Sequence, residues 1–191
     1  ELEQVRTLLQ GAAEIPVGHD AHGPRVFVDH DHEAAAALVH HHQGLSHPAL
    51  DASAEGFKEA LAEKGFTNIT YDDQNAQGDM ATAASIAQKF AGEGLDLIFG
   101  IATPTSQAVV KADQTTPIVF TAVTDPVGAG LVKNVEAPEG NVTGVSDMLP
   151  VDSHLELIKQ IVPDVKTVGV IYNAGEANSV YLIEAEKEQA A

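Results

Sequence analysis

Three short stretches carry side chains able to meet a ligand. They read Ala102-Thr103-Pro104-Thr105-Ser106, Thr124-Asp125-Pro126 and Asn173-Ala174-Gly175-Glu176-Ala177-Asn178-Ser179. Thr103 before Pro104 has the form of an N-cap followed by proline at the first helical position. Hydroxyls and backbone N–H groups then stand together at the positive end of a helix dipole, which suits a carboxylate or another small anion. Asp125 can present a carboxylate to a ligand ammonium. Each stretch also has a plain structural reading: Thr103 and Ser106 as caps, Asp125-Pro126 as a turn, and the Asn173 stretch as an Asn/Gly turn into a capped helix. Groups of these kinds bind and orient. No nucleophile stands beside a base, so no enzyme chemistry is expected.

Histidine is the second chemical signal, since eight of the nine fall at or before His47 and the ninth is His154. His19, His22, His30, His32 and His40 to His42 supply imidazoles, and Asp20, Asp29 and Asp31 supply carboxylates, a set able to hold Zn, Ni or Cu. The spacing matches no closed zinc motif, the HExxH signature is absent, and His30 and His32 on a strand would face opposite sides. A polar face or a compositional accident is the competing reading, so no metal and no cofactor is expected. The chain has no GxSxG, no phosphate-binding GxxxxGK and no full GxGxxG; Gly128-Ala129-Gly130 reads as a turn. Asn68-Ile69-Thr70 and Asn141-Val142-Thr143 fit a glycosylation pattern that matters only in a eukaryotic secretory route.

The elements that must position these loops alternate in type. Residues 1–47 show a helical face at Leu2–Leu9, apolar runs at Ile15–Val17 and Val26–Val28, and a helix opening near His32 behind Asp31. From residue 48 the pattern is more regular. A helix near Ala49–Lys64 ends at Gly65, Asn68–Tyr71 reads as a strand, and Asp79 caps a helix that stops at Gly92. Leu95–Ile101 and Pro117–Val123 are nearly continuous apolar runs, the mark of strands buried on both faces. The helix after Thr103 runs to about Asp113, and Asn141–Ser146 is extended. Beyond Pro150 come a helix with Leu155, Leu157, Ile158, Ile161 and Val162 inward, a strand at Thr167–Tyr172 and a last helix from about Glu176–Ser179. Strands alternating with helices indicate an α/β fold with a parallel sheet, whose ligand sites lie at the carboxyl ends of the strands. Asn68–Tyr71, Leu95–Ile101 and Pro117–Val123 are expected to be neighbours.

The 191 residues carry 10 Lys+Arg against 28 Asp+Glu, a net charge of −18. That field repels phosphate and excludes a nucleic-acid grip or an anionic membrane surface. With 44% apolar residues a sizeable core is possible. No run approaches the roughly 18 apolar residues of a membrane span, and no basic region followed by an apolar run opens the sequence. The absence of cysteine excludes disulfides and thiolate chemistry.

The blocks Gly56-Phe57-Lys58-Glu59-Ala60-Leu61, Gln74-Asn75-Ala76-Gln77-Gly78-Asp79, Ala102–Thr105, Phe120–Ala129, Gly140–Asp147 and Tyr172–Ser179, from the His47-Pro48 pair onward, carry a resemblance. The stretch 47–191 resembles ABC-transporter substrate-binding proteins of the tryptophan and aromatic amino-acid type. The resemblance implies two lobes of type I periplasmic-binding-protein fold around a cleft, and an extracytoplasmic location. It further implies an amino-acid ligand passed unchanged to a membrane permease. It places His47, Thr103, Thr105, Ser106, Thr124 and Asp125 on the first-lobe side, and Asn173, Glu176, Asn178 and Ser179 on the second. Residues 1–46 then form a His-rich segment, 47–147 the first lobe and 148–191 the start of a second. Two departures stand out: Val39-His40-His41-His42-Gln43-Gly44 occupies the place of an apolar first strand, and the second lobe has only helix, strand, helix. Residues 15–47 faintly resemble a LacI-type effector domain, where a helix opens at Val28–Ala37 and ends in Gly44-Leu45-Ser46-His47. A ligand-sensing regulatory domain and a His-rich metal-binding module are the alternatives.

Overall fold

A computed structural model describes residues 37–44, 46–138 and 140–190, the backbone alone for 37–43. The Leu2–Leu9, Ile15–Val17, Val26–Val28, Asp31 and His32 readings lie outside the described residues, as do the metal candidates His19, His22, His30 and His32. Five strands form one parallel sheet in the order β2-β1-β3-β4-β5: β1 (Ala37–Gln43), β2 (Ile69–Asn75), β3 (Leu97–Ile101), β4 (Ile118–Val123) and β5 (Val142–Ser146).

Two expectations are corrected. The histidine segment read as standing in place of a first strand, or as the end of a LacI-like helix, is itself β1, so the segment counted to residue 46 contributes to the sheet. It aligns Val39 with Tyr71 on one side and with Leu97 on the other. Ladder bonds come from the backbone and do not depend on the side chain, and a seat between two strand edges satisfies N–H and C=O groups on both sides. Consequently β2 and β3 are not neighbours. They flank β1, while β3 and β4 pair directly through Ile98 with Ile118 and Phe99 with Val119.

Helices cover both faces because β3 and β4 are apolar in both directions. Ile98, Ile118, Phe120, Val123 and Val142 pack with Ala87 and Phe90 of α2 (Met80–Ala91) and Val109 of α3 (Thr103–Ala112). On the opposite face Phe99 and Ile101 meet Ala54, Leu50 and Phe57 of α1 (Pro48–Glu63), with the Phe57 and Phe99 rings stacked at 4.0 Å. Burying side chains of this size contributes about 1.5–3 kcal/mol of stability each. Helix ends follow local rules. Asp79 caps α2 by accepting Thr82 N–H at 2.6 Å. Gly65 takes φ +91 and closes α1, with Gly65 N bonding Ala62 O and Phe66 N bonding Leu61 O.

Beyond β5 the chain forms α4 (Val151–Ile161) and α5 (Ala177–Ala190), which pack on each other. Here the expected inward face of α4 is corrected. Leu155 and Ile158 are half-buried, but Leu157, Ile161 and Val162 are exposed. The expected strand Thr167–Tyr172 has no ladder partner among the described residues. A strand exists only as a pairing, and apolar pattern alone cannot supply one.

Asp113 ends α3 and accepts hydrogen bonds from Thr115 N at 2.8 Å, Thr115 Oγ1 and Thr116 N at 2.9 Å, and Thr116 Oγ1 at 2.6 Å. Burial raises its carboxyl pKa, but the bonds from Thr116 and Thr115 outweigh burial and hold it below the ordinary carboxylate value. A depressed pKa gives stability that is present above the unfolded-state value and lost as pH falls through the folded one. Asp113→Ala is expected to lower the urea midpoint at pH 7, with the gap to wild type closing below about pH 4. Ile98→Ala, at a site with no exposure, is expected to cost about 2–5 kcal/mol in the same titration at neutral pH.

Candidate functional site

The loops leaving the carboxyl ends of β3 and β4 are shaped by close approaches that the sequence permits at single glycines. At Gly100 an added Cβ would lie 2.8 Å from Ser106 Oγ and 3.3 Å from Ser106 Cα, so glycine lets α3 settle against β3. The chain then turns at Ala102, which has φ 81 and ψ 156 and donates its N–H to Thr121 O at 3.0 Å. This region of backbone space is nearly reserved for glycine, and an alanine there stores about 1–3 kcal/mol of strain.

The turn changes the role read for Thr103. Ala102 is the N-cap, without a side-chain cap bond, and Thr103 is the first helical residue. The reason is conformational: the sharp turn falls one residue earlier than the Thr-Pro pair suggests. Thr105 Oγ1 donates to Ile101 O and approaches Ala102 O at 3.1 Å, while Ser106 Oγ donates to Ala102 O at 2.8 Å. Both side chains are buried, and their protons are committed to the strained turn. Thr103 Oγ1 is also buried but has no hydrogen-bond partner among the described residues. A buried orphan hydroxyl costs about 1–3 kcal/mol, a deficit that a ligand atom can remove. Thr103 and Thr105 supply the N–H groups of this first turn, since Pro104 has none.

Asp125 organises the next loop. Its Oδ1 accepts Gly128 N at 2.9 Å, its backbone O accepts Ala129 N at 2.9 Å, and Gln107 Nε2 of α3 bonds Ala129 O at 2.9 Å. A Cβ at Gly128 would collide with Asp125 Oδ2, so glycine here keeps the carboxylate in place. Thr124 is buried, its hydroxyl 3.3 Å from Asp147 Oδ1 and its carbonyl accepting Ser146 Oγ at 2.8 Å.

A pocket of about 360 Å³ opens between this turn and the start of α5. Asp125, Gly128 and Ala129 form one wall, while Ala174 to Asn178, Val180 and Tyr181 form the other. Asn173 holds the second wall from behind: its Nδ2 donates to Glu176 Oε1 at 2.8 Å and its Oδ1 accepts Gly175 N at 3.0 Å. Asn178 Oδ1 is buried without a partner among the described residues. The pocket therefore collects the acidic residues Asp125 and Glu176 and the amide residue Asn178 beside the apolar Ala129, Val180 and Tyr181. Acceptors of this kind suit a donor-rich group such as an ammonium.

Of the residues singled out from sequence, Asp125, Glu176 and Asn178 meet in this pocket. Thr103, Thr105, Ser106, Thr124, Asn173 and Ser179 are not among its lining residues. His47 is the N-cap of α1, its Nδ1 accepting Ala49 N–H at 3.2 Å. Gly128, Ala129, Val180 and Tyr181 went unread as lining residues. The only signal for Tyr181 is its place one helical turn beyond Asn178. No group of three potential metal ligands exists among the described residues, and none of the described helices is long and apolar enough to cross a membrane.

Residues 39–191 match the family described as ABC transporter substrate binding protein. A curated relative, the tyrosine-binding protein of Clostridioides difficile, is 50% identical over 146 residues, which cover 75% of this chain and 42% of the relative. A crystal structure of a conserved domain protein from Vibrio cholerae is 53% identical with a TM-score of 0.79, covering 82% of this chain and 54% of that one. An ABC domain from Streptococcus pneumoniae, solved in complex with L-Trp, is 40% identical with a TM-score of 0.78 over the same shares. The chain thus spans about half the length of these relatives.

Ala102→Gly is expected to raise the unfolding free energy by about 1 kcal/mol. Release of about 1–3 kcal/mol of strain exceeds the 0.5–1 kcal/mol that glycine adds in unfolded-chain freedom. Urea unfolding monitored by circular dichroism measures it, and a loss of stability would show that Ala102 is unstrained.

Proposed function

Since the chain belongs to the ABC transporter substrate-binding protein family, we propose that it forms the ligand-binding part of an importer's extracytoplasmic receptor. Its ligand is a zwitterionic amino acid, and aromatic ones are the first to test. The reading rests on one observation above the rest: Asp125, Glu176 and Asn178 line one pocket whose remaining wall includes Ala129, Val180 and Tyr181. The ligand ammonium takes the acceptors, and its side chain lies on the apolar wall. Its carboxylate goes to the first turn of α3, where the N–H groups of Thr103 and Thr105 and the orphan Thr103 hydroxyl converge at the positive helix end. A volume of about 360 Å³ falls in the range of small-molecule sites.

A zwitterion fits the electrostatics of a chain with net charge −18. A net anion would meet repulsion from the whole molecule, whereas a neutral ligand divides its charges between an acidic pocket and a helix N-terminus. Thr105 and Ser106 donate to backbone carbonyls, Thr103 Oγ1 has no hydrogen-bond partner among the described residues, and Thr124 Oγ1 lies 3.3 Å from Asp147 Oδ1. As in the family, the ligand is held and released without chemical change, and the next partner is a membrane permease. Residues 37–147 make up the first lobe, with β1 included, and residues from 148 onward belong to the second. Nothing in the pocket favours the regulator or the metal-module reading.

Calorimetric titration with L-Trp, L-Tyr and the other amino acids is the test. Asp125→Ala is expected to weaken the best ligand by about 1.5–3 kcal/mol, the worth of a hydrogen bond to a charged group, and Thr103→Val by about 0.5–1.5 kcal/mol. Thr103→Val should leave the ligand-free protein as stable as before or more so, because it removes an unsatisfied buried hydroxyl. Unchanged affinity in both variants would place the site elsewhere.

A further inference from the structure

The carboxyl end of β4 carries one residue more than the strand beside it. Phe120 aligns with Gly144 and Val123 with Ser146, so three steps along β4 match two along β5. An extra residue reverses the alternation of side chains, because successive positions on a strand face opposite sides. Ile118 and Phe120 pack with α2 and α3, and a regular strand would send Val123 to the other face with Val119. Val123 instead lies fully buried in the same cluster as Ile118 and Phe120. Ala122 supplies the slack at φ 53, in the left-handed region that alanine disfavours. Thr124 and Asp125 follow directly, so the bulge sets the face on which they emerge. It also reaches the start of α3, since Thr121 O accepts Ala102 N at 3.0 Å.

We infer that Ser146 is a positioning residue of the pocket, acting through the Asp125 loop; the inference rests on reading Asp125 as the acceptor of a ligand ammonium. Ser146 is not itself a lining residue. Two successive carbonyls stand between the bulge and Asp125. Val123 O accepts Asp147 N at 3.1 Å, a backbone bond open to any residue but proline at 147. Thr124 O accepts Ser146 Oγ at 2.8 Å, a bond that needs a hydroxyl at this position. The same Oγ accepts Met148 N at 3.1 Å, so the hydroxyl is used as donor and as acceptor. Gly144 lets the two strands close here, since a Cβ there would collide with Phe120 O and the Phe120 ring. Ser146 thus ties the residue before Asp125 to β5 at the point where ladder pairing ends. Asp125 in turn holds Gly128 N through Oδ1 and Ala129 N through its backbone O. Loosening Thr124 therefore loosens the turn that forms one wall of the pocket.

Amide hydrogen exchange followed by NMR on the purified chain tests the clamp without any ligand. In Ser146→Ala the Gly128 and Ala129 amides are expected to exchange about two- to tenfold faster, the worth of one neutral hydrogen bond. The Ile118 amide, bonded to Asn141 O at the other end of β4, should keep its rate. Ser146→Thr retains the hydroxyl and should retain wild-type exchange. Calorimetric titration with L-Trp, L-Tyr and the other amino acids reads the ligand side. Ser146→Ala should weaken the best of them by about the same two- to tenfold factor. It should add nothing in the Asp125→Ala background, because its effect passes through that carboxylate. Unchanged Gly128 exchange, equal acceleration at Ile118, no restoration by Ser146→Thr, or an undiminished effect in the Asp125→Ala background would each overturn the inference. If Gly128 exchange rises in Ser146→Ala while the wild-type chain binds no amino acid, the clamp on the turn stands and the reading of Asp125 as a ligand acceptor falls.

Discussion

The sheet depends on one arrangement, the seating of β1 between β2 and β3. A parallel sheet that lacks an inner strand would expose two edges, each with a row of unsatisfied backbone groups. Ala37–Gln43 closes that gap along both edges, with Val39 beside Tyr71 and Leu97. With β1 in place, β3 and β4 are enclosed by helices on both sides, and the loops at their carboxyl ends are held to one edge of the sheet. Those loops carry Thr103 and Asp125. Their geometry is a consequence of the ladder before it is a consequence of their own residues.

On that scaffold the local structure is tight where a ligand would be met. Gly100 admits α3, Gly128 admits the Asp125 carboxylate, and Gly144 leaves room for Phe120 on the neighbouring strand. Ala102 holds a conformation that alanine disfavours, and it is kept there by Thr121 O on one side and by the hydroxyls of Thr105 and Ser106 on the other. Two threonine and serine hydroxyls thus stabilise a strained turn, and the third, on Thr103, is left unsatisfied. Strain and a buried hydroxyl without a partner among the described residues thus fall in the same turn.

The segment beyond β5 has a different balance. Val151 and Ile183 are its buried apolar residues, while Leu157, Ile161, Val168, Val170 and Ile171 remain in water. Too little surface is covered for α4 and α5 to be stabilised by a core of their own, and packing of each helix on the other and of α5 on α3 holds them in position. That contact is nevertheless enough to bring Glu176 and Asn178 opposite Asp125.

Much of this was legible in the residues themselves. The apolar runs of β3 and β4, the Asp79 cap, the Gly65 stop and the family blocks from Phe57 to Ser179 are local signals, written in side-chain period and turn chemistry, and they led to the α/β class and to the loops worth watching. Asp125, Glu176 and Asn178 were singled out because their loops follow apolar runs, where an α/β fold places its ligand sites, and because the family resemblance set them at the cleft. Other features were decided only in three dimensions. That a histidine-rich segment is an inner strand follows from backbone pairing on two sides, to which its side-chain pattern is blind. That Thr105 and Ser106 serve the turn follows from carbonyls brought beneath them by the conformation of Ala102. That Thr167–Tyr172 is no strand follows from the absence of a partner among the described residues. Periodicity records what a segment can bury, whereas pairing and hydrogen bonding depend on what other segments bring to it.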